Sequence, residues 1–201
     1  VQTLLAQFAT KKINDQYGTH INIERLKVSL ISWNTGLEGV YIEDYQQDTL
    51  FYVNELKTSI LSLGNLAQGN LEFGDIAVDQ LNFKLKTYFG ERNTNLEVFV
   101  DKLDDGKPRA EGTPPFKLSS SNVDIAHSRF KYIDENLQNT TVLNFDSLNI
   151  NAGDFLILGP EVSADIKEMS FFSNRGLKVD RLATNFKYTK QQMRFDSLSI
   201  N

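Results

Sequence analysis

The sequence predicts a mainly β protein with one α-helix at its N-terminus. Apolar and polar residues alternate with a period of two from Ile21 to the end of the chain, which is the pattern of half-buried strands. Phe, which favours strands, occurs 14 times and Pro only 4 times. No window of about 18 apolar residues predicts a membrane-spanning helix. The length of 201 residues indicates one domain or at most two.

The charge and residue content exclude several classes of protein. With 21 Lys and Arg against 26 Asp and Glu, the chain has a net charge of -5 and no basic run, so we expect no binding to nucleic acid. Cysteine is absent, which excludes thiol catalysis, disulfides and zinc sites built on cysteine. Catalysis by histidine would have to use His20 or His127.

The first predicted element is an amphipathic helix over residues 1–18. Its apolar residues recur at helical spacing, and Gly18 supplies the C-terminal stop. Two interpretations stay open: the helix packs over the end of a core, or it directly follows a membrane anchor that precedes Val1 or lies in a membrane surface. The apolar stripe consists of Val1, Leu4, Leu5, Phe8, Ala9, Ile13 and Tyr17.

The remaining residues, 19–201, are interpreted as a succession of strands. We predict about a dozen strands of about 4 to 8 residues each and no second helix. Residues 71–88 keep their apolar side chains on one side across two local shifts in register, as β-bulges would produce. Other alternating runs include Leu26, Val28 and Leu30; Leu37, Val40 and Ile42; Leu56, Thr58 and Ile60; Leu96, Val98 and Val100; and Leu143, Phe145, Leu148 and Ile150.

Residues 104–115, DDGKPRAEGTPP, interrupt the alternation. They carry three of the four prolines, which predicts an exposed loop between strands. The alternation resumes after them, so we favour a single β segment over the alternative of two domains divided at this loop.

Two short sequences recur along the chain. FDSLNIN at residues 145–151 returns as FDSLSIN at residues 195–201 with one substitution, and a weaker echo links NFKL at 82–85, RFKY at 129–132 and NFKY at 185–188. The recurrence favours a sheet built by adding similar hairpins, a quasi-linear architecture. A closed sandwich with chance similarity is the alternative.

A sheet with one apolar face needs a cover for that face. A helix of 17 residues is only about 25 Å long and cannot cover a dozen strands. The face must therefore meet a second sheet, close into a barrel or curl into a trough, and an apolar trough suits acyl chains. The residues predicted to line it are Val28, Leu30, Val40, Ile42, Leu71, Phe73, Ile76, Val78, Leu81, Phe83, Leu85, Val98, Val100, Val123, Ile125, Phe130, Leu148, Ile150, Phe186 and Leu198.

Catalytic motifs are missing from the sequence. It contains no phosphate-binding glycine loop, no G-x-S-x-G elbow, no H-E-x-x-H pair and no EF-hand loop. We therefore predict a protein that is not an enzyme, with no catalytic residues, no metal and no cofactor.

Several stretches resemble the N-terminal part of the TamB family, the translocation and assembly module subunits of the AsmA-like group, in its Bacteroidetes type. They are VQTLLAQFATKKINDQYGTHINIERL at residues 1–26, GVYIEDYQQDTL at 39–50, NELKTSIL at 54–61, TNLEVFV at 94–100, LILGPEVSA at 156–164 and QMRFDSL at 192–198.

The resemblance implies an elongated, U-shaped (taco-like) β-groove with an apolar interior. It also implies a periplasmic location in a Gram-negative bacterium, an N-terminal anchor in the inner membrane, and work with an Omp85-type outer-membrane barrel. The anchor and the domain that meets the barrel are not among these 201 residues. The segment would be the part of the groove nearest the inner membrane.

Two functions follow as expectations from the trough and the resemblance. The first is a conduit for phospholipid acyl chains between the inner and outer membranes. The alternative is a scaffold or chaperone-like component for outer-membrane protein assembly or secretion, which would bind nascent strands at the sheet edges. A hydrolase on a β-scaffold is a third class, and it would need two facing carboxylates in the trough.

Overall fold

The computed structural model describes residues 10–11, 14–15, 17–28, 34–60, 70–103, 117–158, 161–189 and 192–200. Within these ranges the chain forms a mainly β fold with nine named strands and one named helix. The elements are β1 (His20–Val28), β2 (Asn34–Glu43), β3 (Thr49–Ile60), β4 (Asn70–Thr87), α1 (Asn95–Leu103), β5 (Lys117–Asp134), β6 (Thr141–Leu158), β7 (Glu161–Ser173), β8 (Lys178–Tyr188) and β9 (Met193–Ile200).

All nine strands belong to one sheet, and their order in space is their order in the sequence. Neighbouring strands are antiparallel except for β4 and β5, which pair in parallel from Asn70↔Lys117 to Thr87↔Asp134. A parallel pair needs a long crossover, and α1 lies on that crossover. The sheet is not closed, because the described part of the chain shows no pairing between β1 and β9. The prediction of a mainly β, antiparallel-rich fold is confirmed.

The prediction of about a dozen short strands is wrong. The described strands are fewer and longer, and β4, β5 and β6 have 18 residues each. Breaks in the alternation were interpreted as strand ends, whereas most are irregularities inside a continuous strand. The prediction for residues 71–88 was better: β4 is continuous there, and its pairing with β3 shifts between Ile76 and Phe73.

The prediction of a strand at Leu96, Val98 and Val100 is also wrong, because these residues lie in α1. Thr94 and Glu97 form a capping box at its start: the Glu97 amide donates to Thr94 Oγ1 at 3.2 Å, and the Thr94 amide donates to Glu97 Oε2 at 2.6 Å. The T-x-x-E sequence therefore carried a helix signal that the short alternation concealed. Leu96, Phe99 and Val100 also fit helical spacing.

A line of left-handed residues crosses the sheet from β2 to β6. Gly39 and Gln80 both lie opposite Asn54, since Glu38 and Asp79 pair with Glu55 while Val40 and Leu81 pair with Val53. His127 adjoins Gln80 on the neighbouring strand, and Ser147 follows on β6. At each of these residues the alternation of side chains along the strand changes phase, so the side chains that follow lie on the opposite face from the one that a regular strand would give them. The φ angles are 61° at Gly39, 55° at Gln80, 49° at His127 and 53° at Ser147.

A second line of irregularities crosses the middle strands, and a short stretch of regular pairing separates it from the first line. Gly74 on β4 lies beside Ser121 on β5, and Ser121 lies opposite Asp154 on β6, whose φ is 49°. The pairing of β3 with β4 and of β6 with β7 shifts at this line. The two lines divide the long strands into three stretches, and bulges bend the strands that contain them.

Because of these irregularities the apolar residues stay on one face of the sheet. Phe145, Leu148 and Ile150 pack in a single hydrophobic cluster although Ser147 lies among them. A regular strand would place Phe145 and Leu148 on opposite faces. The bulges therefore preserve one apolar face along strands whose sequence changes phase.

We expect Gln80→Val to lower the free energy of unfolding by roughly 1–2 kcal/mol, because a β-branched residue is strained at a φ of 55°. Gln80→Gly is the matched control and should stay within about 1 kcal/mol of the natural chain, since glycine adopts this conformation freely. Urea unfolding followed by circular dichroism measures both changes. Equal losses in the two variants would show that the side chain, and not the backbone, matters at this position.

The two recurrent sequences coincide with recurring features of the strand pairing. Ser147 and Ser197 occupy the same place in the two FDSL motifs, and both are left-handed, with φ of 53° and 57°. The weaker echo at residues 82–85 and 129–132 is in register, since Phe83 pairs with Phe130 in the parallel β4–β5 ladder. The fifty-residue recurrence thus marks a repeated bulge.

Some predictions fall on residues that the structure does not describe. The loop at 104–115 lies outside the described ranges, as do residues 1–9 of the predicted N-terminal helix. Gly18 has a φ of 62°, and its amide donates to the Asn14 carbonyl at 2.8 Å, the bond expected where a helix ends. Among the described residues, no helix has the length and apolar content to cross a membrane. The helical residues preceding Gly18 that are described are Thr10, Lys11, Asn14, Asp15 and Tyr17.

Candidate functional site

The apolar face carries an unbroken row of side chains that crosses all nine strands. Residues directly opposite each other in a sheet share a face, so the pairing alone defines the row. At about 4.8 Å between strands, it extends about 38 Å along the sheet. It consists of Leu26, Leu37, Leu56, Val78, Ile125, Ile150, Met169, Leu182 and Ile200.

A row of phenylalanines runs parallel to it on the same face. Phe83 lies near the middle, with its ring 4.4 Å from Phe51 and 5.2 Å from Phe130, measured between ring centroids. Phe145 continues the row and stacks on Phe171 at 4.0 Å. Aromatic contacts of this kind stabilise by about 0.5–1.5 kcal/mol each beyond the burial of area.

Between the two irregular lines lies a further row of residues, which are at most 8% exposed except for the partly exposed Ile166. Thr35 also belongs to this row, and its buried Oγ1 has no hydrogen-bond partner among the described residues. The row contains Thr35, Thr58, Ile76, Val123, Ala152, Ile166 and Thr184.

The structure brings together most of the residues predicted to line the trough. Leu30 lies outside the described residues, and only the backbone of Val28 and Leu71 is described. Val98 and Val100 lie on α1 and not on the sheet. The residues that share the apolar face of the sheet are Val40, Ile42, Phe73, Ile76, Val78, Leu81, Phe83, Leu85, Val123, Ile125, Phe130, Leu148, Ile150, Phe186 and Leu198.

Several residues of this face were missed. Phe51 follows Leu50 and precedes Tyr52, so a continuous apolar run concealed the alternation of β3. Phe145 and Leu56 stood in recognised alternating runs, and a consistent choice of the apolar set would have included them. Met169 precedes a bulge in β7 that separates it from Phe171.

The opposite face of the sheet is charged. Glu38 accepts hydrogen bonds from Lys27 and from Arg25, the latter at 2.8 Å, and the bond from Lys27 lowers the pKa of the Glu38 carboxyl. His127 Nδ1 lies 2.7 Å from Asp79 Oδ1 on neighbouring strands. Surface pairs of this kind contribute little stability, but they keep this face hydrated.

A buried polar cluster, formed by Asp44, Tyr88 and Asn95, joins α1 to one end of the sheet. Asp44 Oδ2 accepts from Tyr88 Oη at 2.7 Å and from Asn95 Nδ2 at 3.0 Å. Asn95 is fully buried, and its Oδ1 accepts from the Lys86 amide at 2.9 Å. Burial, followed by the hydrogen bond to Asp44, raises the pKa of the Tyr88 hydroxyl. Tyr88 therefore stays protonated and donates.

Lysine side chains tie two turns to the same end of the sheet. Lys84 Nζ lies 2.8 Å from Asp48 Oδ1, and Lys86 Nζ lies 2.8 Å from Glu135 Oε1. Burial opposes ionisation of Asp48, but the hydrogen bonds from Lys84 and the Thr49 amide outweigh it and lower its pKa. The β2–β3 and β5–β6 turns are therefore both fixed against the end of β4.

A cavity of about 210 Å³ lies between α1 and the end of β8. A chain of paired residues leads from Tyr188 through Val162, Ile157 and Leu118 to the start of β4. In contrast, α1 follows the end of β4. A straight strand of 18 residues would separate these ends by about 60 Å. The sheet therefore curves along its strands. The cavity is lined by Asn93, Glu97, Val100, Asp101 and Tyr188.

The two histidines are distant in the sequence from the residues that line this cavity, and each contacts one carboxylate. His20 Nδ1 lies 3.6 Å from Glu43, and His127 contacts Asp79. Within the described ranges, no group of three or more His, Asp or Glu side chains is placed to hold a metal ion.

Comparison with known proteins adds no relative. No protein-family model matches the chain, and no curated protein matches it.

Proposed function

We propose that the chain is a segment of a U-shaped hydrophobic groove that carries phospholipid acyl chains. The observation that carries this proposal is the apolar row from Leu26 to Ile200, which crosses all nine strands without a polar residue. A row of about 38 Å exceeds the length of an extended acyl chain. A chain lying along the row would contact each strand in turn and meet no polar barrier.

The two irregular lines support the U-shaped cross-section. Each long strand bends where it crosses them, so the stretch between the lines forms the floor of the groove and the outer stretches form its walls. The row from Thr35 to Thr184 lies on the floor. The cavity between α1 and Tyr188 supports the same shape, since it brings opposite strand ends together. The mouth of the groove is the gap between those strand ends.

The resemblance to the TamB family extends the proposal to the cell. The segment would lie in the periplasm, anchored to the inner membrane through a helix before Val1, and would feed lipid towards an Omp85-type barrel at the outer membrane. The charged outer face suits an aqueous compartment, and the apolar inner face suits acyl chains. No step of this transport requires a catalytic residue.

Lipid analysis of the purified chain tests the proposal. We expect chain expressed in the periplasm of a Gram-negative bacterium to retain phospholipid, detected by native mass spectrometry and by extraction. Delipidated chain should take up a fluorescent phospholipid from vesicles. A soluble β protein of similar size is the control. The proposal fails if the chain neither retains nor takes up lipid.

The alternative, a scaffold for outer-membrane protein assembly or secretion, is favoured by the edge strand β9. Phe195, Leu198 and Ile200 are each more than half exposed, and β8 is the only described strand that pairs with β9. Such an edge can accept an incoming strand. A photo-crosslinker at Leu198 separates the two functions in cells: lipid adducts favour the conduit, and adducts with unfolded barrel proteins favour the scaffold.

A further inference from the structure

Two turns at one end of the sheet are tied to each other. Residues 88–94 follow β4, and residues 135–140 join β5 to β6. Asn136 connects them, because its Oδ1 accepts from the Gly90 amide at 2.8 Å and its Nδ2 donates to the Glu91 carbonyl at 3.1 Å. The two turns therefore form one hydrogen-bonded unit, which we call the double turn.

The double turn projects from the sheet. β4 and β5 end together, since Thr87 pairs with Asp134. At the same end β7 stops at Ser173, which is in line with Phe130 through Phe145. Along the strand, β5 therefore continues four residues, or about 13 Å, beyond the end of β7. The double turn thus extends past the β7–β8 turn and is open to a surface that approaches this end of the sheet.

Each half of the double turn exposes one large apolar side chain. Phe89 is 81% exposed and Leu137 is 50% exposed. The backbone beside them is already satisfied, because the Phe89 amide donates to Glu135 Oε2 at 3.1 Å and the Leu137 amide donates to the Asp134 carbonyl at 3.3 Å. Both side chains can therefore enter an apolar medium without leaving these two donors unpaired.

The exposed charge of the double turn is positive, although the whole chain has a net charge of -5. Arg92 is exposed and forms no ion pair with any described residue. Glu91 and Glu135 are only partly exposed, and each has a partner. Tyr45 Oη donates to Glu91, and Lys86 Nζ lies 2.8 Å from Glu135 Oε1. The double turn therefore complements an anionic surface locally.

A largely apolar path leads from the double turn into the groove. Leu85, Tyr132 and Leu143 pair with one another across β4, β5 and β6. They share a face with the phenylalanine row and lie two residues nearer to the double turn. An acyl chain that entered at the double turn would therefore cross this row before it reached the phenylalanines.

We infer that the double turn docks on the surface of an anionic phospholipid bilayer, where Phe89 and Leu137 insert and Arg92 meets the phosphates. This inference rests on the proposed lipid function and names the bilayer as the source of the lipid. Apolar side chains next to cations bind the membrane interface through both burial and charge. A fluid bilayer accommodates two projecting side chains without a matching pocket, which a protein partner would have to supply.

Flotation with vesicles of phosphatidylcholine, alone or mixed with phosphatidylglycerol, tests the docking. We expect Phe89→Ser/Leu137→Ser to bind both kinds of vesicle at least about 10-fold more weakly than the natural chain, because two inserted apolar side chains are lost. Leu158→Ser is the matched control. Leu158 is 40% exposed and lies at the other end of β6, so its replacement should leave binding unchanged.

Arg92→Gln should give a different result. It should remove most of the preference for vesicles that contain phosphatidylglycerol and reduce the salt dependence of binding, while binding to phosphatidylcholine alone is kept. Equal losses on both kinds of vesicle would contradict a contact between Arg92 and anionic headgroups.

The lipid held by each chain is measured on the same samples. The double turn lies outside the phenylalanine row, so its variants should keep the lipid content of the natural chain. Docking is overturned if the natural chain does not float, if Phe89→Ser/Leu137→Ser floats equally well, or if that variant instead abolishes binding to a protein or a second copy. In those cases retained lipid still upholds the groove. A chain that floats but neither retains nor takes up lipid upholds docking and overturns the groove.

Discussion

Replacing Phe83 with Asp should remove most of the lipid that the chain holds, by at least about 10-fold. Phe83 stacks on Phe51 and contacts Phe130 edge to face in the phenylalanine row, and a carboxylate there would have to be desolvated against acyl chains. The folded state should also lose about 3 kcal/mol or more, since removing a packed Phe side chain alone has that cost. Lipid per chain is measured by mass spectrometry, and stability by urea unfolding.

Phe89→Asp is the matched control for this change. Phe89 is 81% exposed and lies in the turn after β4, outside the phenylalanine row. The same substitution there should alter the free energy of unfolding by no more than about 0.5 kcal/mol and leave the lipid content unchanged. A Phe83→Asp chain that folds and keeps its full lipid content would contradict the groove as the lipid site.

Asp44→Ala should destabilise the fold by at least about 3 kcal/mol. Asp44 is 2% exposed, and besides Tyr88 and Asn95 its carboxylate accepts from the amides of Gln46 and Asp48 at 2.9 and 3.0 Å. Removing the carboxylate leaves four donors without their acceptor, two of them in the cluster that anchors α1. Urea unfolding measures the loss, and hydrogen exchange of α1 should show early opening.

Two further variants calibrate that result. Tyr88→Phe removes a single hydrogen bond and should cost about 0.5–1.5 kcal/mol. Asp146→Ala removes an exposed carboxylate that lies 3.3 Å from Arg129, and should cost less than about 1 kcal/mol. If Asp44→Ala costs no more than Asp146→Ala, the buried cluster does not anchor the sheet end.

The alternation in the sequence was sufficient to predict the β class and most of the apolar face. It worked because the side-chain period in a strand is fixed by the backbone, and because one face had to be apolar. The shift near Gln80 was also visible, since Val78 and Leu81 are three residues apart. A preference for one face therefore survives in the sequence even where the strand is irregular.

Strand number and the position of α1 were not predictable in the same way. A bulge and a strand end interrupt the alternation alike, and only pairing with a neighbour distinguishes them. Residues 95–103 satisfy a period of two over Leu96, Val98 and Val100 and a helical period over Leu96, Phe99 and Val100. The cavity beside Tyr188 joins residues about ninety positions apart, which no local pattern encodes.

The strictly sequential order of the strands bears on how this sheet forms. Each antiparallel strand adds to the one made just before it, so loop closure is short and the sheet can grow by a zipper mechanism from either end. The parallel β4–β5 pair is the exception, because its crossover contains α1 and must close a loop of 29 residues between Thr87 and Lys117. That closure is the slow step expected in folding, and it divides the sheet into two units that grow independently.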